Sequence, residues 1–353
     1  MALTEVDAAR LNDNVFNTVG PFKNRIINGD MRIDQRNAGA SVTAGSGNTY
    51  TLDRWEASSA LGSKFSVQQS TTATAGFINS LLVTSLAATT PGASDQYSIR
   101  QKIEGFNVAD LGWGAAGAQA VTLSFWVRSS LTGTFGGALQ SSGFGRSYPF
   151  TYTVSSANTW EQKSVLVPGD TSGTWLTNNG IGIIVNFSVG AGSSVSGTAG
   201  SWSSSDFRSA TGATSVVGTN GATFYITGVQ LEAGSVATPF ERRTYGQELS
   251  LCQRYYQLCR NFVGIGNSST QVIANAVFQC TMRATPTIGQ TGVIQVGDGT
   301  TDILQSSTGT TFLNGAVDAA VFQVNNLSGI SLNRAHQMRL GANTNAITLS
   351  AEL

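Results

Sequence analysis

Alternation of apolar and polar residues is the clearest pattern along this chain. The segment 121–129 reads VTLSFWVRS, so its odd positions are mostly apolar and its even positions include Trp126 and Arg128. Residues 97–103 and 181–189 share this period of two, which is typical of strands with one face on a core. Further strand-like runs, separated by turns rich in small residues, are 50–55, 64–69, 80–84, 150–154, 161–167 and 223–231. The pattern predicts an antiparallel β-sandwich or jelly roll over residues 22–243.

The beginning of the chain shows a different pattern. Residues 1–21 carry one apolar stripe, a capping residue at Thr4 and the break Gly20-Pro21, which together predict a short helix. So short a helix is marginal alone, so we expect it to dock on its own fold, on sister subunits or on a larger partner. The following segment 25–33 contains the turn signal Asn28-Gly29 and predicts a tight hairpin.

A helical period replaces the alternation over residues 244–260. Apolar residues recur there at spacings of three and four, which predicts one long linking helix with a stripe that could serve as an oligomer interface. The stripe consists of Leu249, Cys252, Tyr256 and Cys259. Strand-like segments then return, so residues 261–353 are predicted as a smaller C-terminal β domain. The fold class is therefore all-β, with one long helix.

Composition narrows the possible functions. Gly, Ser and Thr supply 121 of the 353 residues, only 11% are charged, and the formal net charge is zero. A neutral chain argues against a broad surface for nucleic acid, and no apolar run approaches the roughly 20 residues that span a bilayer. The first residues lack the basic and apolar regions of a signal peptide. The three cysteines fit reduced thiols better than a disulfide framework. We expect neither nucleic-acid binding nor membrane insertion.

Groups suited to catalysis or metal binding are scarce. One histidine, His336, rules out a multi-histidine metal site within one chain, and we interpret it as a surface or interface residue. The segment 298–302 has some features of a calcium loop but lacks the further oxygen ligands, so a hairpin turn is expected. The acid pairs Glu104/Asp110 and Glu161/Asp170 could in principle serve glycoside hydrolysis, but they read as ordinary surface residues. We predict no cofactor, no metal and no catalytic residue.

Five segments in order resemble bacteriophage tail-fibre proteins, most like the fibres of marine and cyanobacterial phages. They read FKNRIINGDMRIDQRNAG at 22–39, TYTLDRW at 49–55, VTLSFWVRSS at 121–130, VQLEAGSVATPFERRTYGQELSLCQRYY at 229–256 and MRATPT at 282–287. The resemblance implies a homotrimeric receptor-binding fibre with a jelly roll like those of carbohydrate-binding modules and an N-terminus attached to the virion tail. It assigns no binding residue, and the matched motifs themselves read as architectural turns.

Sugar recognition favours flat aromatic faces ringed by polar side chains. The residues chosen on this basis as candidate glycan contacts are Trp113, Trp126, Arg128, Phe144, Arg146, Tyr148 and Trp202. Trp126 and Arg128 lie opposite the predicted core face, where Trp126 is a stacking platform if the face is exposed and a core residue if it is covered. Trp113 and Trp202 lie in loops, where a tryptophan either binds ligand or anchors its loop. The glycine-dense stretch 133–150 is interpreted as a flexible rim that presents aromatic residues.

The leading hypothesis is a phage tail fibre that binds a glycan of the host surface, lipopolysaccharide in particular, during adsorption. Its partners would be two further copies of itself, other tail proteins and the host polysaccharide. The protein would be synthesised in the host cytoplasm and then become part of the virion tail. Two alternatives stay open: a fibre-borne polysaccharide depolymerase, and a structural or adaptor fibre that binds no host molecule.

Overall fold

The computed structural model describes residues 22–260, 262–297, 309–340 and 346–353. These residues form two units, one that extends to Arg243 and one made of residues 244–352. The helix predicted within residues 1–21 and the turn predicted at 298–302 lie outside the described residues. Both units are built almost entirely from antiparallel strands, so the all-β fold class is confirmed.

The larger unit is a sandwich of two six-stranded antiparallel sheets. The front sheet contains β1 (Val42–Thr43), β4 (Phe65–Ser70), β5 (Ser80–Ser85), β7 (Val121–Ser129), β10 (Glu161–Val167) and β14 (Thr223–Ala233), in the order β1-β4-β5-β14-β7-β10. The rear sheet contains β2 (Gly47–Tyr50), β3 (Glu56–Ser59), β6 (Gln96–Glu104), β8 (Gly133–Gln140), β9 (Ser147–Val154) and β11 (Ile181–Ala191), in the order β2-β3-β6-β11-β8-β9. The parallel strands β12 (Ser196–Gly197) and β13 (Ser209–Ala210) form a small extra pair.

The alternation seen in the sequence decides which side chains enter the sandwich core. Phe125 of β7 and Phe187 of β11 are buried, and their ring centroids lie 5.0 Å apart, so the two sheets meet through the faces that the pattern predicted as apolar. The intervening residues of β7 point away from this core, which leaves Trp126 and Arg128 on the outer face of the front sheet. Burial of these apolar faces is the main stabilising contribution to the fold.

The segment that precedes β1 is not the hairpin that the sequence predicted. Residues 25–33 lie beside β14, where the Arg25 amide donates to the Leu231 carbonyl at 2.9 Å and the Val229 amide donates to the Gly29 carbonyl at 2.9 Å. A Cβ on Gly29 would collide with the Val229 carbonyl. The backbone groups therefore find partners on a distant strand, and Asn28, with a positive φ of 57°, forms an isolated turn.

Side chains from the segments 22–39 and 49–55 tie this part of the unit together. The Asn28 amide donates to the carbonyls of Ile33 and Asp53, and the Trp55 indole donates to the Asn28 carbonyl at 2.9 Å. All these groups are buried, and a buried polar group without a partner is costly. Three of the segments, 22–39, 49–55 and 229–256, thus meet in one interior network of hydrogen bonds, which explains their residue types structurally.

The smaller unit contains one helix and two sheets. Helix α1 (Tyr245–Gln253) begins with a capping box, in which the hydroxyl of Thr244 accepts from the Gln247 amide. One sheet has the order β15-β23-β18, with β15 (Tyr256–Cys259), β18 (Thr287–Thr291) and β23 (Ala346–Ser350). The other has the order β19-β22-β16-β17-β21-β20, with β16 (Phe262–Ser268), β17 (Gln271–Val277), β19 (Ile294–Gly297), β20 (Thr310–Gly315), β21 (Ala319–Val324) and β22 (Ala335–Leu340).

The prediction of one long linking helix over residues 244–260 is wrong. Helix α1 ends at Gln253, and residues 256–259 form strand β15, paired with β23. Leu249, Cys252, Tyr256 and Cys259 therefore do not lie along one helical stripe. Cys252 and Tyr256 are buried, and Cys259 packs against the core of this unit, so the geometry from which an oligomer interface was predicted does not exist. Pairing with a strand distant in sequence overrides a local helical pattern here.

Two further sequence interpretations are corrected. The glycine-dense stretch 133–150 is an ordered hairpin, β8 and β9, because the absence of Cβ at Gly136 and Gly137 lets neighbouring segments approach closely. His336 is not a surface residue: it lies in β22, is fully buried, and places its Nε2 atom 3.1 Å from the Ser331 carbonyl oxygen.

Candidate functional site

Most of the loop residues chosen from the sequence come together in one cluster. We call Trp113, Trp175, Trp202 and Tyr148 the tryptophan cluster. The ring centroids of Trp113 and Trp175 lie 4.7 Å apart, those of Trp113 and Trp202 5.3 Å, and those of Tyr148 and Trp202 5.2 Å, mostly in edge-to-face arrangements. Such pairs contribute about 0.5–1.5 kcal/mol each beyond area burial. The cluster therefore joins three connections at one end of the rear sheet.

The indole nitrogens of this cluster are all committed to the protein's own backbone. Trp113 donates to the Gln119 carbonyl at 2.7 Å, Trp175 to the Ser172 carbonyl at 3.1 Å and Trp202 to the Pro168 carbonyl at 2.8 Å. Trp113 is only 9% exposed. Trp175 and Trp202 are half-buried, but indoles that pack on one another with satisfied N–H groups hold loops in place and leave little for a ligand, so this cluster is an anchor.

Arg146 belongs to the same anchor. Its guanidinium forms two hydrogen bonds with Asp170, at 2.7 and 2.8 Å, and lies 5.9 Å from the Trp202 ring centroid. These hydrogen bonds, aided by the carboxylate charge, raise the pKa of Arg146 above its usual value, and burial raises the pKa of Tyr148. Arg146 is therefore engaged in holding the β8–β9 turn to the loop that follows β10.

Phe144 lies at the tip of the β8–β9 turn with a positive φ of 55°. The guanidinium of Arg208 lies 5.0 Å from its ring centroid and pairs with Asp206, which also accepts from the Gln140 amide at 2.6 Å. Phe144 is thus partly covered by the neighbouring loop. A depression beside the tryptophan cluster has a volume of only about 10 Å³, far below ordinary ligand pockets, which are roughly 300–1,000 Å³.

The outer face of the front sheet carries the other two candidates, Trp126 and Arg128. Trp126 lies opposite Thr227 on one side and Gln162 on the other, and Arg128 lies opposite Tyr225. Trp160, just before β10, is close to Tyr225, with ring centroids 6.1 Å apart. We call Trp126, Arg128, Trp160 and Tyr225 the outer platform. Its members are half-buried, so each keeps part of its surface in solvent.

The outer platform differs from the tryptophan cluster in its hydrogen bonds. The Arg128 guanidinium lies 5.0 Å from the Tyr225 ring centroid, and its Nε donates to the Asn158 carbonyl at 2.8 Å. Within residues 22–260 the indole N–H groups of Trp126 and Trp160 bond to no protein atom. The platform therefore offers aromatic faces and free donors together, the combination that suits a sugar ring with its apolar face and hydroxyl groups.

Of the four acids considered in the sequence, Glu104 is buried and the other three are engaged in ion pairs. Asp110 pairs with Arg25 at 2.5 Å, Asp170 with Arg146, and Glu161 with Lys163 at 2.6 Å. The hydrogen bond from Lys163, together with two backbone amides, lowers the pKa of Glu161. Among the described residues no group of three acidic, histidine or cysteine side chains is arranged to hold a metal ion, and no helix is long and apolar enough to cross a membrane.

The candidate residues chosen from the sequence did not include Tyr225 or Trp160. The signal for Tyr225 was present, because it occupies an outward position in the alternating segment 223–231. Its place beside Arg128 depends on the pairing of β14 with β7, which joins residues about a hundred positions apart. Conversely, the structure separates Trp113, Arg146, Tyr148 and Trp202 from Trp126 by placing them at different sheets.

No family model and no curated protein sequence matches this chain. Solved structures with a similar fold include the enzymatically active domain of tailspike protein 4 from bacteriophage CBA120, at 12% identity over 61% of this chain and 22% of that chain, with a TM-score of 0.31. This chain thus spans about a fifth of the tailspike domain's length.

Carbohydrate-binding proteins are also among these similar structures. A putative sugar-binding protein from Bacteroides thetaiotaomicron is 9% identical over 60% of this chain and all of that one, with a TM-score of 0.33. A family 11 carbohydrate-binding module from Clostridium thermocellum is 13% identical over 56% of this chain and 98% of that one, with a TM-score of 0.28. Similarity at this level carries no argument about which residues of this chain bind.

Proposed function

We propose that this protein is a glycan-binding phage tail fibre that attaches to the virion by its N-terminus and contacts a host-surface polysaccharide through the outer platform. The observation that supports the binding function is the half-exposed pair Trp126 and Trp160, whose indole N–H groups bond to no atom of the larger unit described here. The resemblance of five ordered segments to tail-fibre proteins supports the virion assignment.

Binding at the outer platform follows from its chemistry. The apolar face of a pyranose stacks on Trp126 or Tyr225, and its hydroxyl groups accept from the indole N–H groups and exchange hydrogen bonds with the exposed amide of Gln162. One such contact on a sheet face is weak. Repetition over the three chains of a homotrimer, and over several fibres of one virion, would raise the overall avidity by roughly 10²–10⁴.

The test is a glycan array that includes lipopolysaccharides, probed with the full chain and with Trp126→Ala and Tyr225→Ala. We expect the wild type to bind and each variant to lose about tenfold or more, or roughly 1.4 kcal/mol, since truncation removes the aromatic face on which the sugar packs. The matched control is Phe106→Ala, because Phe106 is exposed at 60% but lies outside the platform. Absence of binding by the wild type would overturn the binding function and favour a structural or adaptor fibre.

The assignment to the virion has its own tests. Immunogold labelling is expected to place the protein on the phage tail, and sedimentation is expected to give a trimer at micromolar concentration. Unlabelled tails or a monomer would contradict the fibre assignment without touching the glycan site. Release of new reducing ends from a bound polysaccharide would instead show the depolymerase activity that this proposal does not include.

A further inference from the structure

A second aromatic site with an arginine lies on the same molecule as the outer platform. Phe77 and Phe240 meet edge to face with ring centroids 5.2 Å apart. The guanidinium of Arg242 lies 4.9 Å from the Phe77 centroid and 5.9 Å from the Phe240 centroid. We call these three residues the Phe77 site. Both rings are partly exposed and Arg242 is exposed, so a ligand can reach them.

Hydrogen bonds between side chains of strand β14 and backbone groups of two loops place the Phe77 site on the outer face of the front sheet. The hydroxyl of Thr227, the residue opposite Trp126, donates to the Asn79 carbonyl at 2.7 Å. The Gln230 side chain accepts from the Glu241 amide at 2.8 Å. The loops that carry Phe77 and Phe240 therefore both lie over this face, immediately beside Trp126.

A bulge in β14 makes room for this arrangement. Gly228 interrupts the register between Thr227 and Gln230 and has a positive φ of 60°. A Cβ there would lie 2.6 Å from the Phe77 ring, so glycine is required for the ring to approach the strand. Rows of the sheet two residues apart are separated by roughly 7 Å, so the Arg128 row and the Gln230 row lie roughly 14 Å apart with Trp126 between them.

Arg128 and Arg242 differ from six other arginines of the larger unit in how their charge is used. Six arginines described in that unit form ion pairs with acids: Arg25, Arg32, Arg100, Arg146, Arg208 and Arg243. Arg128 and Arg242 form no ion pair within residues 22–260, and both lie over aromatic rings instead. Arginine stacked in this way keeps its full charge and an open edge for a carboxylate or phosphate.

Of the acids near these two arginines, Glu232 and Glu241 have other partners, and Asp30 is shared between Arg32 and Arg242. Glu232 accepts from the Thr238 amide and hydroxyl, and Glu241 pairs with Arg243 at 3.0 Å. Asp30, whose charge acts on Arg242, pairs with Arg32 at 2.9 Å, and burial raises the pKa of Asp30 despite that partner. The outer face thus presents Arg128, which has no acid partner among residues 22–260, and Arg242, whose charge Asp30 offsets only in part, one on each side of Trp126.

We propose that the outer platform and the Phe77 site form one extended surface that selects an acidic polysaccharide, with Arg128 and Arg242 each binding an anionic substituent and Trp126 stacking on a sugar between them. This inference rests on the proposed glycan-binding function and names the class of glycan. The shared chemistry is an anionic group, carboxylate or phosphate, on a chain of several sugar rings.

The test uses an array in which every acidic bacterial polysaccharide is also present after carboxyl reduction or dephosphorylation. We expect the wild type to prefer the acidic form by about tenfold or more, and to lose this preference as salt is raised. Arg128→Gln and Arg242→Gln should each reduce binding to the acidic form by roughly five- to tenfold and binding to the neutral form by clearly less. Which of the two treatments removes the preference identifies the carboxylate or the phosphate as the recognised group.

Arg334→Gln is the matched control, since Arg334 is an exposed arginine of the smaller unit. Thermal unfolding of each variant checks that it is folded. Equal binding of acidic and neutral forms by the wild type would overturn the acidic class while the glycan-binding function stands. A loss for Arg128→Gln with none for Arg242→Gln would overturn the extended surface. No binding to any form would overturn both proposals.

Discussion

The tryptophan cluster and the outer platform use the same residue types for opposite purposes. In the cluster each indole N–H donates to a backbone carbonyl and the arginine is paired with Asp170. In the platform the indole N–H groups of Trp126 and Trp160 bond to no atom of residues 22–260, and Arg128 lies over Tyr225 with no carboxylate partner there. The comparison teaches that an aromatic–arginine composition does not distinguish an anchor from a binding surface. The hydrogen-bond and ion-pair partners of the polar atoms distinguish the two.

Truncation of a cluster tryptophan should have the largest effect. Trp113→Ala is expected to lower the free energy of unfolding by about 3–5 kcal/mol, because it leaves a cavity between two packed indoles. Trp126→Ala should lower it by no more than about 1 kcal/mol, since the residue is half-exposed. Urea unfolding of both variants makes the comparison, and similar losses at the two positions would remove the distinction between anchor and platform.

The charged residues provide the next contrast. Asp170→Asn should cost about 2 kcal/mol, less than for a fully buried pair, because the Arg146 side chain keeps 18% of its surface exposed. Arg128→Gln should change the free energy of unfolding by less than about 0.5 kcal/mol, since it breaks no ion pair. The measurement is again urea unfolding, with Arg334→Gln as the neutral reference. A larger cost at Arg128 than at Asp170 would show that Arg128 is the structural residue.

Replacement by phenylalanine isolates the indole N–H. Trp202→Phe keeps an aromatic ring but removes the hydrogen bond to the Pro168 carbonyl, so a cost of about 1 kcal/mol is expected. Trp126→Phe removes a group that bonds to no atom of the larger unit described here, and should stay within about 0.5 kcal/mol. Glycan affinity should show the reverse order, with a larger loss for Trp126→Phe than for Trp202→Phe. Equal costs at both positions would mean that the indole of Trp126 has an internal role.

The smallest effect concerns alkaline pH. Burial raises the pKa of Tyr148 in the folded state, so the unfolded chain ionises first and stability falls as the pH rises above about 10. Tyr148→Phe should reduce this alkaline loss by a few tenths of a kcal/mol, measured as the free energy of unfolding between pH 9 and about 11. An unchanged alkaline loss in the variant would contradict a buried phenol in the cluster.

Strands whose side chains alternate strongly could be predicted from the sequence. Segments 121–129 and 181–189 are strands β7 and β11 nearly residue for residue, because alternate side chains of each must enter the core. Strand β8 could not be predicted, since its glycines carry no side chains to alternate. The stripe from Leu249 to Cys259 was misleading, because residues 256–259 pair with a strand ninety positions away in the chain.

By itself, the sequence determined the all-β class, the outward position of Trp126 and Arg128, and the scarcity of groups for catalysis. These features depend only on local periodicity and residue type. Tertiary structure alone decided which aromatic residues are anchors and which remain available, and it brought Tyr225 and Phe77 beside Trp126. The physical reason is that exposure and hydrogen-bond partners are set by long-range strand pairing, which joins positions that no local pattern relates.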